Sequence, residues 1–325
     1  MSKKFFPGVV LSLGMSVVAI VLGHFLPLIG SSIFAIAFGI LLNQFWAIPS
    51  SWRWGLGLVG KKGLQYAIIL LGFSLSIGRV SQVGLSSLKI SLPTIGIAFL
   101  VAYFLGKWLK LEEKVAILIG FGTAICGGSA IAAASPILEA KEEEIALSIS
   151  TIFFFNILAV FIFPTLAYVF HMSDSMFGTW AGTAINDTSS VVAAAYTVSD
   201  KAGDLATIVK LSRALMIVPI CLMMTVVKVR QSRNLSKKVS LGQIFPWFIL
   251  WFVFASALSS IGLVPIAGVK LAKSLSQLLM AMALFAIGSN VSFKQFKKAG
   301  LAPLVVGALA WLAVSLSSLL IQNLI

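Results

Sequence analysis

The segment GTAINDTSSVVAA, residues 182–194, resembles GTAICGGSAIAAA, residues 122–134, at a constant offset of 60 positions. Both copies lie inside long apolar runs and interrupt them with glycine or short polar side chains. A glycine inside a helix weakens it by about 1 kcal/mol relative to alanine, and short polar side chains also disfavour helix interiors. The two copies therefore predict two helices that are broken near their centres, at mid-membrane if the chain crosses a bilayer.

The composition predicts that the chain does cross a bilayer. Of its 325 residues, 59% are hydrophobic and 10% are charged, whereas an ordinary soluble domain is roughly 25% charged. A bilayer core about 30 Å thick needs roughly 20 apolar residues per helix, and its backbone groups must be hydrogen-bonded internally. We therefore expect an all-α, polytopic membrane protein in which residues 1–325 form one domain.

The apolar runs predict about 10–11 transmembrane helices. The first run follows a charged start but has no clear cleavage site, so we expect it to be retained as a span. The predicted spans are 5–26, 30–48, 63–79, 90–107, 115–137, 145–170, 177–198, 205–227, 243–263, 272–291 and 300–323.

The lysines and arginines between these runs predict a cytoplasmic N-terminus. With that orientation, 16 cations fall in inside joints and 6 in outside joints, as the positive-inside rule requires. Because the cations form no single patch or stripe, we expect no nucleic-acid partner in spite of the net charge of +14. The inside cations are Lys3, Lys4, Arg53, Lys61, Lys62, Lys107, Lys110, Lys114, Lys228, Arg230, Arg233, Lys237, Lys238, Lys294, Lys297 and Lys298, and the outside cations are Arg79, Lys89, Lys141, Lys201, Lys270 and Lys273.

A weaker internal match, at an offset of 210 positions, predicts inverted repeats. Seven predicted spans separate its two copies, so the copies would run in opposite directions. The copies at residues 122–134 and 182–194 are two spans apart and would run parallel unless one segment re-enters the membrane. The sequence leaves both alternatives open. The weaker match consists of Ile77 with Ile287, Gly78 with Gly288, and Pro93 with Pro303.

Asp187 falls near the middle of a predicted span, whereas the other acidic residues lie in or beside the joints. A carboxylate at that depth costs about 2.5–3.5 kcal/mol on insertion scales, so it should face a polar cavity or a partner. We predict a substrate site with Asp187 as the candidate for proton coupling, and a structural polar cluster is the alternative. The other predicted site residues of this segment are Asn186, Thr188, Ser189 and Ser190.

The counterpart segment supplies Cys126, Gly127, Gly128 and Ser129 to the predicted site. Backbone amides freed at the start of the second half-helix would suit an anion, because helix N-termini carry a partial positive charge. Added bulk at Gly127 or Gly128 is then expected to abolish transport. The alternative is a glycine face on which helices pack closely.

Lys210 and Arg213 lie three residues apart, on one face of the eighth predicted span. Two cations that face inward would suit an anion. Alternatively, Arg213 neutralises Asp187 and Lys210 reaches the membrane interface. Asn156 is interpreted as a polar contact between helices.

Three segments, GFGTAICGGSAIAAASP, GTAINDTSSVVAAA and KLSRALMIVPI, together with LLGFSLS upstream, resemble the bacterial YeiH family of proposed sulfate exporters. The resemblance covers nearly the whole chain. It implies a multi-pass protein of the bacterial inner membrane that is related to the cation:proton antiporter and anion transporter superfamily. That relation implies inverted five-helix repeats, crossed broken helices and a binding site at the membrane midplane.

These features favour a secondary transporter that exports a small anion: sulfate, a related sulfur oxyanion or an organosulfonate. An anion channel is the alternative within transport, but the polar residues cluster at a few points instead of lining several spans. An intramembrane enzyme is disfavoured because both histidines lie at span ends and a second mid-span carboxylate is missing. No cofactor or metal is expected. The expected partners are the anion and the lipid bilayer, and a homodimer is left open.

Overall fold

The computed structural model describes residues 6–26, 30–46, 48–231, 246–290 and 300–324. Within these ranges the chain forms helices and no strand, which confirms the all-α prediction. Six described helical segments are long and apolar enough to cross a membrane, and four apolar helices are shorter. Eight of the predicted inside cations lie outside the described residues: Lys3, Lys4, Arg233, Lys237, Lys238, Lys294, Lys297 and Lys298.

Five predicted spans coincide with one helix within a few residues at each end: 5–26, 30–48, 145–170, 243–263 and 300–323. The helices are α1 (Phe6–Phe25), α2 (Gly30–Phe45), α3 (Ser50–Leu58), α4 (Leu64–Gly72), α5 (Ile77–Trp108), α6 (Glu113–Ala124), α7 (Gly128–Leu138), α8 (Glu142–Val169), α9 (Asp174–Ala184), α10 (Thr188–Val198), α11 (Asp200–Leu215), α12 (Ile217–Gln231), α13 (Trp247–Ser260), α14 (Ile266–Gly288) and α15 (Leu301–Leu324).

The third, fourth and eighth predicted spans differ from the helices. α4 ends at Gly72 and α5 already begins at Ile77, so the third span is shorter and the fourth longer than predicted. A π-helical turn, Val59–Gly63, joins α3 to α4, so Lys61 and Lys62 lie within a helical segment and not in a joint before it. The eighth span is interrupted between α11 and α12. Pro219 explains this interruption, because a proline removes one helical hydrogen bond and its ring clashes with the carbonyl four residues earlier.

The described helices form two compact units. One contains α1–α4, α13 and α14, the other contains α6–α9, α12 and α15, and α5, α10 and α11 have residues in both. In the first unit, α2 and α14 cross closely through glycines. A Cβ atom on Gly39 would overlap the carbonyl oxygen of Phe285, and one on Gly288 would overlap that of Ile36. Small residues at a crossing let two helix backbones approach each other in this way.

In the second unit, α15 packs against α6, α8 and α9. Trp180 on α9 donates from Nε1 to the carbonyl of Ser315 over 3.0 Å. A Cβ atom on Gly307 would lie 2.6 Å from Thr151 and 2.8 Å from Phe155, so α15 approaches α8 closely at this glycine. These contacts hold the two halves of the internal repeat, α6–α7 and α9 with the start of α10, in one unit.

Candidate functional site

The first broken helix is a hairpin. Lys114, in the first turn of α6, donates from Nζ to the carbonyl of Glu139, just after α7, over 2.8 Å. A continuous helix over residues 113–138 would be about 39 Å long, so its ends could not be joined by one side chain. The prediction that residues 115–137 cross the membrane as a single span was therefore wrong, and this segment is re-entrant. The prediction that Lys110 and Lys141 lie on opposite sides of the membrane was wrong for the same reason, since they flank the two ends of the hairpin.

Gly127 makes the turn of this hairpin. Its backbone has φ 68° and ψ −132°, a conformation that side-chain-bearing residues rarely adopt. Its amide donates to the carbonyl of Gly122 over 3.0 Å, and α7 begins at the next residue. The break predicted from the glycine pair is confirmed, and the first of the two glycines has the special conformation.

The second break has the same position in its copy of the repeat. α9 ends at Ala184 and α10 begins at Thr188, which is the spacing seen between α6 and α7, 60 positions earlier. Asp187 caps α10: its Oδ2 accepts hydrogen bonds from the amide of Ser189, over 2.9 Å, and from the hydroxyl of the same residue. Helix N-caps favour such a side chain because it satisfies a free amide.

The two copies of the repeat, which begin with α6 and α9, enter the membrane from opposite sides. The hairpin α6–α7 begins and ends on one side, and α8, about 42 Å long, then crosses to the other side, where α9 begins. α6 and α9 are about 18 and 16 Å long, so their ends meet near the middle of a 30 Å core. The weaker match, at an offset of 210 positions, does not mark a second pair of helix breaks. Gly78 lies at the start of α5 and Gly288 at the end of α14.

The first turns of α7 and α10 touch where the two breaks meet. A Cβ atom on Gly127 would lie 3.2 Å from Cβ of Asp187 and 3.5 Å from its Cα. Asn156 on α8 binds the start of α10 at this point, because its Oδ1 accepts a hydrogen bond from the amide of Asp187 over 3.2 Å. Its Nδ2 is buried and has no hydrogen-bond partner among the described residues. Asn156 therefore presents a free donor at the junction, a role beyond a contact between helices.

Lys210 and Arg213, both 0% exposed, bind the carbonyls at the ends of α6 and α9. Lys210 donates from Nζ to Ile125 over 2.9 Å and to Ile185 over 2.8 Å. Arg213 donates from Nε to Ala124 over 2.5 Å, from Nη2 to Thr123 over 3.3 Å, and from Nη1 to Thr183. The last carbonyls of a helix have no partner within it and carry a partial negative charge. The two cations satisfy these carbonyls.

These bonds correct two predictions about the cations. Among the described residues, the ion pair within 4.0 Å joins Lys273 to Asp200, so Arg213 does not neutralise Asp187 by direct pairing. Lys210 does not reach an interface either, since its side chain is fully buried. An anion could contact either cation only through the N–H groups that the carbonyls leave free, and both side chains are fully buried.

The predicted site residues differ in accessibility. Ser129 is exposed, Gly128, Asp187 and Thr188 are partly exposed, and Cys126, Gly127, Asn186, Ser189 and Ser190 are buried. Asn186 is 1% exposed, and neither polar atom of its side chain has a hydrogen-bond partner in the part of the chain that the structure describes. The site thus combines an accessible surface, formed by the first turns of α7 and α10, with unpaired polar groups beneath it.

The sequence did not single out the threonines of the two GTAI segments. The carbonyls of Thr123 and Thr183 both bind Arg213, and the buried hydroxyl of Thr123 has no partner among the described residues. The repeat itself was the available signal, because both copies carry threonine at the same place. The carbonyls of Ile125 and Ile185 carry no such signal, since every residue has one.

Comparison with known proteins identifies the family. The model of the family described as Conserved hypothetical protein 698 matches residues 7–307. A UPF0324 membrane protein of Streptococcus pneumoniae is 43% identical, over 98% of this chain and 96% of the relative. UPF0324 membrane proteins of Clostridium tetani and Fusobacterium nucleatum are 40% and 39% identical, over 98% and 100% of this chain and 97% and 99% of the relatives. The chain is therefore a multi-pass membrane protein that belongs to the family of Conserved hypothetical protein 698.

Proposed function

We propose that the protein is a secondary transporter of a small anion, which binds at the first turns of α7 and α10. The net charge of the two breaks is the observation that carries this proposal. Two helix N-termini and two helix C-termini contribute about half a charge each, and these contributions cancel. Lys210 and Arg213 add two positive charges and Asp187 one negative charge, so the junction has a formal excess of about one positive charge.

An anion would remove this excess. Burying a charge without compensation is unfavourable, which favours binding of one monovalent anion when Asp187 is ionised. Protonation of Asp187 would raise the excess to about two charges, which matches a divalent oxyanion such as sulfate. The resemblance to sulfate exporters favours the same substrate class: sulfate, a related sulfur oxyanion or an organosulfonate. We place the protein in the bacterial inner membrane with a cytoplasmic N-terminus.

The groups that would bind the anion are amides and hydroxyls. The first amides of a helix have no partner within it and suit oxyanions, and Ser129 and Thr188 add accessible hydroxyls. Asp187 already fills one such position, because its carboxylate accepts a hydrogen bond from the amide of Ser189. The carboxylate therefore competes with the anion for donors and repels it. Protonation weakens both effects, so proton and anion binding should be coupled.

Anion binding to the purified protein tests the proposal. Sulfate, thiosulfate and methanesulfonate would be titrated over a range of pH, with binding followed by calorimetry. We expect sulfate to bind more tightly as the pH falls. If none of these anions binds at any pH, the proposal is wrong.

Asp187→Asn tests the coupling. It should retain anion binding and lose the dependence of flux on a pH gradient in proteoliposomes. Asp174→Asn is the matched control, because Asp174 is a carboxylate in the first turn of α9, away from the junction. The control should transport like the wild type. Unchanged pH-gradient dependence in Asp187→Asn would exclude Asp187 as the coupling group.

A further inference from the structure

The ammonium of Lys210 lies between equivalent carbonyls of the two breaks. Ile125 and Ile185 occupy the same place in the two copies of the repeat, and Nζ of Lys210 is 2.9 Å from the first carbonyl oxygen and 2.8 Å from the second. Each carbonyl follows the last residue of a half-helix. In transporters with broken helices, carbonyls at the ends of half-helices coordinate the coupling cation.

The surroundings of Lys210 favour a positive charge at this point. The C-terminal ends of α6 and α9 together contribute about one negative charge. Arg213 binds the carbonyls of Thr123, Ala124 and Thr183, one or two residues before those that Lys210 binds. Lys210 and Arg213 together therefore bind five of the carbonyls at the ends of the two half-helices.

We infer that the ammonium of Lys210 occupies a monovalent-cation site formed by the carbonyls of Ile125 and Ile185, and that transport consequently needs no Na⁺. The statement about transport rests on the proposed function, whereas the statement about the cation site does not. The cation of this site is the ammonium of the lysine side chain, so it is covalently attached and stays in place through every transport cycle.

Lys210→Ala tests the site, because it removes the ammonium and leaves space between the two carbonyls. The purified variant would be melted in NaCl, in methylammonium chloride and in choline chloride at equal ionic strength. We expect Na⁺ or methylammonium to raise Tm by at least about 3 °C over choline, because a ligand that binds the folded state stabilises it. The wild type should melt at the same temperature in all three salts. An equal Tm of Lys210→Ala in all three salts would overturn the inference.

Lys114→Ala is the matched control. Lys114 also donates to a main-chain carbonyl over 2.8 Å, but it is partly exposed and binds at the open end of the hairpin. Its removal should produce no difference between Na⁺ and choline. A cation-specific rise in Lys114→Ala as large as that in Lys210→Ala would show that the effect does not come from the site, and would also overturn the inference.

Lys210→Gln keeps the test decisive if Lys210→Ala does not fold. The glutamine amide can donate to the carbonyls but carries no charge. We expect a Tm below that of the wild type, and an equal Tm would overturn the inference, because hydrogen bonding without a positive charge would then be sufficient. Flux in Na⁺-free proteoliposomes tests the second statement. Wild-type flux that depends on Na⁺ would overturn it and leave the proposed function intact, whereas a lack of anion flux in every salt would refute the proposed function and leave the melting result as the test of the site.

Discussion

The substitution Gly127→Ala should push the helix break at Gly127 away from the break at Asp187. The backbone of Gly127 has φ 68° and ψ −132°, and holding a residue with a Cβ atom in such a region costs on the order of 1–3 kcal/mol. The added Cβ would also lie 3.2 Å from Cβ of Asp187, closer than ordinary van der Waals contact. We expect Tm to fall by about 2–10 °C, and we expect anion flux to be lost because the displaced Asp187 no longer faces the first turn of α7.

Gly128→Ala is the matched control for this substitution. Gly128 begins α7 and does not have a positive φ, and a Cβ atom there would meet Phe153 at 3.4 Å, an ordinary contact. Alanine also favours a helix over glycine by about 1 kcal/mol. Tm should therefore stay equal or rise, and flux should persist, contrary to the expectation from sequence that both glycines are intolerant. Thermal melting and reconstituted flux would be compared for both variants. Equal Tm values with near-normal flux in Gly127→Ala would refute the reasoning.

Three further predictions concern topology and packing. Lys110→Cys and Lys141→Cys should react with an impermeant thiol reagent from the same side of the membrane, because the hairpin α6–α7 returns to the side it enters; labelling from opposite sides would exclude the hairpin. Reporter fusions at Ser236 and after Ile325 should give a cytoplasmic and an external signal, because the cations around Ser236 favour the cytoplasm and three predicted spans follow them; with α6–α7 re-entrant, this result requires α9–α10 to return to its side of entry as well. Gly39→Ala and Gly288→Ala should each lower stability by about 1–3 kcal/mol through overpacking at the α2–α14 crossing, whereas Gly14→Ala, with no atom within 4 Å, should not. Equal Tm values for these three variants would contradict the close crossing.

The sequence located both breaks because their chemistry is local. A glycine pair and the residues NDTSS disfavour a continuous helix in any surroundings, and α7 and α10 begin at Gly128 and Thr188 within these segments. The return of α6–α7 was left open by the sequence, and the span count treated it as a crossing. Residues 115–137 have the length and apolarity of a span, and the single conformation that reverses them, at Gly127, leaves no trace in hydropathy.

The roles of Lys210 and Arg213 were predictable only in part. Their position on one face of an apolar run predicted two inward-facing cations, and the structure confirms that both are buried. Their partners could not be predicted, because main-chain carbonyls are present at every residue and become available only where a helix ends. Charge alone predicted that Arg213 pairs with Asp187. Arg213 instead binds the carbonyls at the ends of two half-helices.

The bonds made by α11 also have a mechanical consequence. Lys210 and Arg213 each bind carbonyls at the ends of both α6 and α9, so α11 links two half-helices that enter the membrane from opposite sides. Sliding the end of α6 past the end of α9 would break a carbonyl hydrogen bond of Lys210 and one of Arg213 inside a buried site. The ends of α6 and α9 and residues 210–213 of α11 should therefore move as one rigid body. Access to the junction from one side of the membrane or the other must then come from motion of the surrounding helices.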